Sequence, residues 1–426
     1  MRFYTFADLA HPKCRREFSK GQVMDLKRIA TLLEQRRAGH TLPQGLYTEL
    51  NSFDFDMTAF YGQSWLMAGM ECELPKSGSY TAFSIGDWPV IITRDAKGVI
   101  RAFHNSCRHR GSILCLPGHG AVPKLVCPYH RWTYNLDGSL FAATRMPEDF
   151  EKSEHGLKPV SVRVVAGGIF VCLSDDPPPF DEFGIRFAEY AGPLNFANMK
   201  LAATDVMVEQ ANWKLVMDNA RECYHCPTGH PDLAKSFPVV FKGFFDAEGD
   251  KRAADYVAQM DVLGLPHEAV QGDWWQMSRF ALNECAKTIS MDGQHLVKKL
   301  MIEGNDGSVG SFRWALNPNQ FAHATSDQVF TCNFMPVSAT ETHAYSKWFV
   351  HKDAVEGVDY NVDDLKEVWV KTNQQDRELA ENNHRGVLSP GYTPGPYSRE
   401  AETLALQFTD WYCDKSHAYI AAHGNG

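Results

Sequence analysis

The chain is predicted to be an α+β protein, a small all-β unit followed by a larger mixed unit, on three observations. Residues from about 61 to 175 read as short alternating runs broken by Gly turns, as in SYTAFSIGDWPVIITRDAKGVIRAFHN and GLKPVSVRVVAGGIFVCLS, the pattern of half-buried strands. Three consecutive prolines, Pro177, Pro178 and Pro179 in SDDPPPFDEFG, then mark a stiff connection. Beyond them, strand-like runs (GSFRWALNPNQFAHA, VFTCNFMPVS, HAYSKWFVH) mix with helix-like ones.

Taken in order, the first element is a helix. MDLKRIATLLEQRRAG places Met24, Leu26, Ile29, Leu32 and Leu33 near a 3.6-residue period and is expected to end at Gly39. It belongs to an arm, residues 1–60, expected to pack with the second unit. The β unit should occupy 61–175 and the mixed unit 176–426. The main helix of the latter, VDDLKEVWVKTNQQDRELAENNHRG, is expected to close on Gly386. No internal repeat or low-complexity segment interrupts this order.

Composition bounds the function. With 426 residues, 44% hydrophobic and 12% aromatic, the chain can bury two or three domain cores, which excludes disorder and small disulfide scaffolds. Lys+Arg 42 against Asp+Glu 52 gives a net charge of -10. Without a basic run, neither nucleic acid nor an anionic membrane is an expected partner. No apolar window of about 18 residues predicts a spanning helix. The opening MRFYTFADLAHPKCRREFSK is charged from Arg2 and is expected to be neither signal peptide nor anchor. Eleven cysteines without an export signal point to a reducing cytoplasm, where thiols pack, react or bind metal.

The first dense cluster of such groups is NSCRHRGSILCLPGHGAVPKLVCPYHRWTYNLDGSL. Cys107 and His109 form C-x-H, and Cys127 and His130 form C-x2-H. Two ligand sets use these types, a structural zinc and a Rieske [2Fe-2S] centre in which two Cys hold one iron and two His the other. Zinc fingers separate the ligand types into C-x2-C and H-x3-5-H, whereas here each loop supplies one of each, as a binuclear cluster needs. Together with Gly111, Pro128 and the following Trp132, Tyr134, Leu136, Asp137 and Gly138, this segment resembles the catalytic (alpha) subunits of Rieske non-haem iron oxygenases. The resemblance implies that these aromatics and turns buttress the cluster loops. It also implies an all-β [2Fe-2S] domain ahead of a mononuclear-iron domain with a helix-grip-like antiparallel sheet. Cys115, His104 and His119 lie nearby, outside the ligand pattern.

The second cluster is QANWKLVMDNARECYHCPTGHPDL. His225 and His230 flank Cys226, Pro227 and Gly229, so a helix break is expected between them and the two imidazoles can face one point. With one carboxylate they would form the 2-His-1-carboxylate triad that leaves Fe(II) open to O2. The resemblance places that carboxylate at Asp376 in TNQQDRELAENNHRG, with Glu378 and Glu381 as neighbours. On a helix Glu378 lies about 200° around from Asp376, so the two cannot both point at one metal. Similar proteins carry the E-C-Y-H-C-P string without using its thiols, so Cys223 and Cys226 are not expected as ligands. The resemblance further implies that Glu222 bridges the two centres between subunits. It would accept a hydrogen bond from His130 of the partner subunit and one from His225 of its own chain, which implies a homotrimer. Ring-hydroxylating dioxygenases usually have Asp there, four positions after the Asn. Here Glu222 stands three after Asn219, which counts against a ring dioxygenase.

No G-x-G-x-x-G opens a strand-to-helix turn, so electrons from NAD(P)H require a separate reductase carrying flavin and an iron-sulfur centre. The string N-x2-E-C-Y-H-C-P-x2-H-P, with LLEQRRAGHTLPQGLYT and SPGYTPGPYSREAETLALQFTDWY, most resembles the branch that demethylates betaines. What that implies is O2-dependent N-demethylation of glycine betaine to dimethylglycine and formaldehyde. Proline betaine (stachydrine) or another betaine is the alternative, followed by ring hydroxylation or O-demethylation of an aromatic acid. A quaternary ammonium has no proton to donate, so its site should be a cation-π cage, contributing ~0.5 to 2 kcal/mol per good face. Trp274, Trp275 and Phe280 are candidates. With Cys107 and Cys127 on the cluster, Cys14, Cys72, Cys115, Cys172, Cys223, Cys226, Cys285, Cys332 and Cys413 are expected as free thiols.

Overall fold

The computed structural model describes residues 24–239, 251–302 and 309–424. Cys14 and the opening segment lie outside them. The described chain falls into two compact units, Tyr61–Pro178 and a second composed of Met24–Phe60 with the residues from Pro179 onward.

The first unit is all β, as expected. It contains β1 (Leu66–Met70), β2 (Ser79–Ile85), β3 (Trp88–Arg94), β4 (Ile100–His104), β5 (Gly118–Ala121), β6 (Leu125–Val126), β7 (Thr133–Tyr134), β8 (Leu140–Ala142), β9 (Pro159–Val165) and β10 (Gly168–Cys172). Seven strands form one sheet in the order β1-β10-β9-β4-β3-β2-β5, and β6-β7-β8 form a small separate one. The turns read from GDW and DAKG join β2 to β3 and β3 to β4. One core cluster runs through Ile91, Phe103, Leu125, Trp132, Tyr134 and Leu140, and includes Cys107 and Cys127. Gly138 packs so closely on the Phe103 ring, at φ +85°, that a Cβ there would clash with it.

The second unit begins with α1 (Leu26–Glu34), α2 (Gln44–Thr48) and α3 (Leu50–Asp56). Helix α1 buries Ile29, Leu32 and Leu33, the face read from the sequence, but it stops at Glu34 and not at Gly39. The Gln35 N–H closes the last turn onto Leu32 and Leu33 carbonyls and the chain turns away. After α4 (Asp181–Ala191) come β11 (Met199–Glu209), α5 (Trp213–Asn219), α6 (Cys226–Gly229), α7 (Lys251–Leu263), β12 (Val270–Gln271), β13 (Trp275–Phe280), β14 (Ser311–Leu316), β15 (Gln320–Ala324), β16 (Gln328–Ser338), β17 (Glu341–His351), α8 (Val362–Val387) and α9 (Thr403–His423). The seven strands form one antiparallel sheet in the order β11-β17-β16-β15-β14-β13-β12. Helix α8 lies against β11 and α5, and its last turn runs one residue past Gly386.

A buried polar knot ties the arm to this unit. The Asp56 carboxylate accepts from Trp213 Nε1 and Tyr412 Oη, both at 2.8 Å, and pairs with Lys214. Asp56 and Lys214 are 0% and 1% exposed, so deleting one partner would strand a buried charge, at about 3 to 5 kcal/mol. The same knot fixes α5, which leads directly into the histidine-bearing segment.

Candidate metal centres and substrate pocket

In the β unit two loops of matching construction carry the four predicted cluster ligands. Cys107 follows β4; its N–H donates to the Ser112 carbonyl at 2.8 Å and its carbonyl accepts from Gly111 N–H at 2.8 Å. Cys127 follows β6; its N–H donates to the Trp132 carbonyl at 2.8 Å and its carbonyl accepts from Arg131 N–H at 3.1 Å. These tight turns aim the two thiols inward, 3% and 1% exposed. Burial works against a Cys127 thiolate, but the Tyr129 and His130 backbone N–H groups outweigh it and lower its pKa. Tyr134 Oη lies 3.3 Å from Cys107 Sγ and accepts from Arg108 N–H at 3.0 Å.

The His109 and His130 rings stand 4.6 Å apart, and Trp132 stacks on His109 at 4.9 Å. His130 Nδ1 is buried without a hydrogen-bond partner among the described residues. Such an orphan is costly in a finished core, and a metal at that nitrogen removes the cost. Two buried thiols and two adjacent imidazoles therefore fit a [2Fe-2S] cluster. Cys115 and His104 stand outside the set: the Cys115 carbonyl accepts from Asn105, and burial lowers the pKa of His104. His119 pairs with Thr81.

In the second unit the structure brings His225, His230 and Asp376 to one point. His225 Nε2 and His230 Nε2 are 3.0 Å apart, and Asp376 Oδ1 lies 3.2 Å and 3.0 Å from them. Three donors with these edges match one face of an octahedron whose metal-ligand bonds are about 2.1 to 2.3 Å, the spacing for an open Fe(II) site. Each ring is held through its other nitrogen, a standard way of orienting ligand histidines. His225 Nδ1 donates to Glu222 Oε1 at 2.5 Å and His230 Nδ1 to Gln375 Oε1 at 2.8 Å. Burial would lower the pKa of His225, but Asp376 and Glu222 overcome it and hold it up at about 9. The anionic surroundings that favour a proton also favour a divalent cation. Glu381 Oε1 instead accepts from Gln210 N–H at 3.1 Å, and Glu378 is exposed.

Two expectations change here. No break separates the histidines: they cap the single turn α6, with His225 at its N-terminus and His230 at its C-terminus. Cys223 and Cys226 are not free thiols, because they are joined by a disulfide. The short C-x2-C turn around His225 brings the sulfurs together, and Cys226 Sγ, 4.0 Å from His225 Nε2, is thereby occupied. Among the described residues, Cys107, Cys115, Cys127, Cys172, Cys285, Cys332 and Cys413 are free thiols.

A pocket of about 660 Å³, counting its solvent-open mouth, contains this triad. Phe237, Phe321, Phe334 and Trp369 line it, together with Glu209, Arg313 and His323. Burial, then Asp376 and Glu381, raises the Glu209 pKa to about 8, and burial lowers that of Arg313 to about 10. The candidates Trp274, Trp275 and Phe280 are not among the lining residues. Trp274 packs on Phe180 and Phe183, and Trp275 on Phe183, in the core beneath α4. Phe280 stands behind the wall, 5.5 Å from Phe237. Sequence reasoning missed Gln375 and the lining residues other than Asp376 and those of the segment from Asn219 to His230. A signal existed for some: Trp369, Thr372, Asn373 and Asp376 share one face of α8 at helical spacing.

Residues 64–161 match the Rieske [2Fe-2S] domain family, and residues 196–417 match the ring hydroxylating alpha subunit catalytic domain. The chain is 42% identical over 395 residues to the glycine betaine monooxygenase oxygenase subunit of Pseudomonas aeruginosa, covering 91% of this chain and 92% of that protein. It is also 42% identical over 395 residues to the protein of that name from Chromohalobacter salexigens, covering 90% and 88%. The carnitine monooxygenase oxygenase subunit of Acinetobacter baumannii is 35% identical over 209 residues, covering 47% of this chain and 55% of that protein. Among solved structures, the quaternary ammonium Rieske monooxygenase CntA with gamma-butyrobetaine superposes with a TM-score of 0.66 at 21% identity, covering 91% of this chain and 97% of that one. Naphthalene 1,2-dioxygenase from Rhodococcus sp. gives 0.65 at 18%, covering 92% and 98%. At these identities the two structures speak for the fold alone.

Proposed function

Since this chain belongs to the Rieske non-haem iron oxygenases, as a catalytic alpha subunit with a [2Fe-2S] domain and a mononuclear-iron domain, we propose that it N-demethylates glycine betaine. The observation that carries the reading is the 42% identity to glycine betaine monooxygenase oxygenase subunits over nine-tenths of the chain. The pocket chemistry agrees with it. Phe237, Phe321, Phe334 and Trp369 line the space that a trimethylammonium group would fill, and a buried guanidinium at Arg313 suits a carboxylate.

Cys107, His109, Cys127 and His130 would hold the cluster, which would supply electrons one at a time, and His225, His230 and Asp376 would hold the mononuclear iron, which would supply O2 activation. Glu222 and Gln375 hold the ligand rings so that both Nε2 lone pairs face the metal. The aromatic wall seats the substrate and excludes water around the reacting methyl group. One O2, two electrons and two protons convert an N-methyl to N-hydroxymethyl and release one water. The hydroxyl proton then passes to nitrogen as the C–N bond breaks, giving formaldehyde and dimethylglycine. Electrons come from NAD(P)H through a separate reductase. Glu222 also serves as the electron relay from His130 of the partner subunit, in a homotrimer whose chains each comprise an arm (1–60), a cluster domain (61–175) and a catalytic domain (176–426). No helix among the described residues is long and apolar enough to cross a membrane.

The test is turnover of glycine betaine with formaldehyde and dimethylglycine measured together, using iron-replete protein and a reductase. Turnover of aromatic acids with none of glycine betaine would overturn the substrate assignment.

A further inference from the structure

Two charged side chains in the pocket take no part in holding metal. Glu209 ends β11 and Arg313 sits within β14, a strand buried along its whole length; each is 3% exposed. Glu209 Oε2 is buried without a hydrogen-bond partner among the described residues. A buried carboxyl in that state is held neutral until a cation comes to it and draws out its charge. Strand β11 packs on α8, the helix that carries Asp376, and the N–H of the next residue, Gln210, donates to Glu381 Oε1 on that helix at 3.1 Å, so Glu209 stands at the metal end. A metal ion held by Asp376 answers that residue's charge and leaves the unbonded oxygen of Glu209 without a donor.

Arg313 marks the other end. Its strand β14 lies four places from β11 in the sheet, and Arg313 pairs in register with His323 of β15, which stays neutral, its pKa lowered by burial and by Arg313. The pocket therefore has a negative end beside the triad and a positive end beside His323, with aromatic rings between.

We infer that Glu209 is the counter-charge for the substrate's quaternary ammonium and Arg313 the anchor for its carboxylate, so that the pocket reads a small zwitterion by its polarity. A quaternary nitrogen has no N–H to offer, so the recognition at Glu209 is Coulombic. The polarity has a chemical consequence. With the cationic head drawn to Glu209, an N-methyl group faces the mononuclear site and the carboxylate is held away from it. This rests on the betaine reading and assigns the residues that would select the substrate.

The test uses the holoenzyme with its reductase and two analogues. In 3,3-dimethylbutyrate a carbon replaces the cationic nitrogen of glycine betaine; in choline a hydroxymethyl group replaces the carboxylate. Glu209→Gln should raise KM for glycine betaine about tenfold while leaving the inhibition constant of 3,3-dimethylbutyrate and the iron content unchanged. Arg313→Met should weaken glycine betaine and 3,3-dimethylbutyrate alike and leave choline inhibition unchanged. If Glu209→Gln shifts glycine betaine and its neutral isostere equally, or shifts neither, the inference is overturned. If that variant loses iron, Glu209→Asp, which keeps the charge, should regain iron and the preference for glycine betaine over the isostere; iron loss in both makes Glu209 structural and overturns it. Parent enzyme that ignores glycine betaine refutes the proposed function itself, a result separate from the variant comparison.

Discussion

Glu222→Ala should release iron from the mononuclear site without unfolding the chain. Glu222 Oε1 accepts from His225 Nδ1 at 2.5 Å, and its other oxygen accepts from the Tyr224 N–H, so one carboxylate sets both the ring and the turn that carries it. A hydrogen bond to a charged group contributes about 1.5 to 3 kcal/mol. With about 1.4 kcal/mol per factor of ten, its loss should weaken iron binding roughly 10- to 100-fold, the range found when a ligand histidine loses its orienting partner. Glu222→Gln separates two roles, because the amide keeps a carbonyl oxygen for His225 but carries no charge. Its iron affinity should stay within about threefold of the parent, while electron delivery slows. The assays are iron titration of apoprotein against a chelator, with cluster absorbance as internal control, and single-turnover oxidation of reduced protein. Parent-like iron affinity in the Ala variant would refute the orienting argument. An unchanged single-turnover rate in the Gln variant would remove the relay role and leave the orienting one.

Gln375→Leu removes the acceptor of His230 Nδ1 and should also weaken iron binding about 10-fold or more, read by the same titration. Asp376→Ala should abolish turnover and leave the cluster spectrum intact, whereas Cys107→Ala should abolish the cluster colour; loss of colour in the Asp376 variant would contradict two separate centres. Replacing both Cys223 and Cys226 by Ser opens a loop of four residues, worth about 2 kcal/mol in unfolded-chain entropy. The melting temperature should fall while iron content is retained; loss of iron would make a thiol part of the site. Burial pushes the Asp218 pKa up from 3.8 to about 8, with Glu402 and Glu222 adding to it against a hydrogen bond from Tyr397. An acid whose folded pKa is raised contributes its stability at low pH and loses it as pH rises toward 8. Between pH 6 and 8 the melting temperature of Asp218→Asn should therefore fall less than that of the parent; parallel curves would contradict the shift.

The two thiol-imidazole loops proposed to hold the cluster could be read in the sequence because each loop is local. C-x-H and C-x2-H carry a thiol and an imidazole on one tight turn, and only the meeting of two turns is long-range. The pocket was not legible, because its walls come from β11, from the consecutive strands β14 to β16 and from α8, three stretches far apart in the sequence, and nothing local says that they meet. Trp274 and Trp275 illustrate the error. A pair of tryptophans is conspicuous, but α4 presents Phe180 and Phe183 to cover them, and a covered ring offers no face to a ligand. Arg313 left a readable mark, a charge inside the apolar run of β14, since a buried charge needs a reason.

The histidine pair shows how spacing and conformation combine. On a continuous helix residues 225 and 230 would point about 140° apart and could not share a metal. A break between them was the expected remedy, yet the chain keeps one full turn, with the Gly229 and His230 N–H groups bonded to the His225 and Cys226 carbonyls at 2.8 and 2.9 Å. The departure comes at His230 itself, which leaves helical geometry at φ -127° and ψ 66° and swings its ring back over the turn. Pro227 favours this arrangement from the first turn, where its missing N–H costs nothing. Gly229 stands beside the His225 ring, where a Cβ would lie 3.4 Å from it, in van der Waals contact. The side chains between the ligands thus set the metal geometry as much as the ligands do.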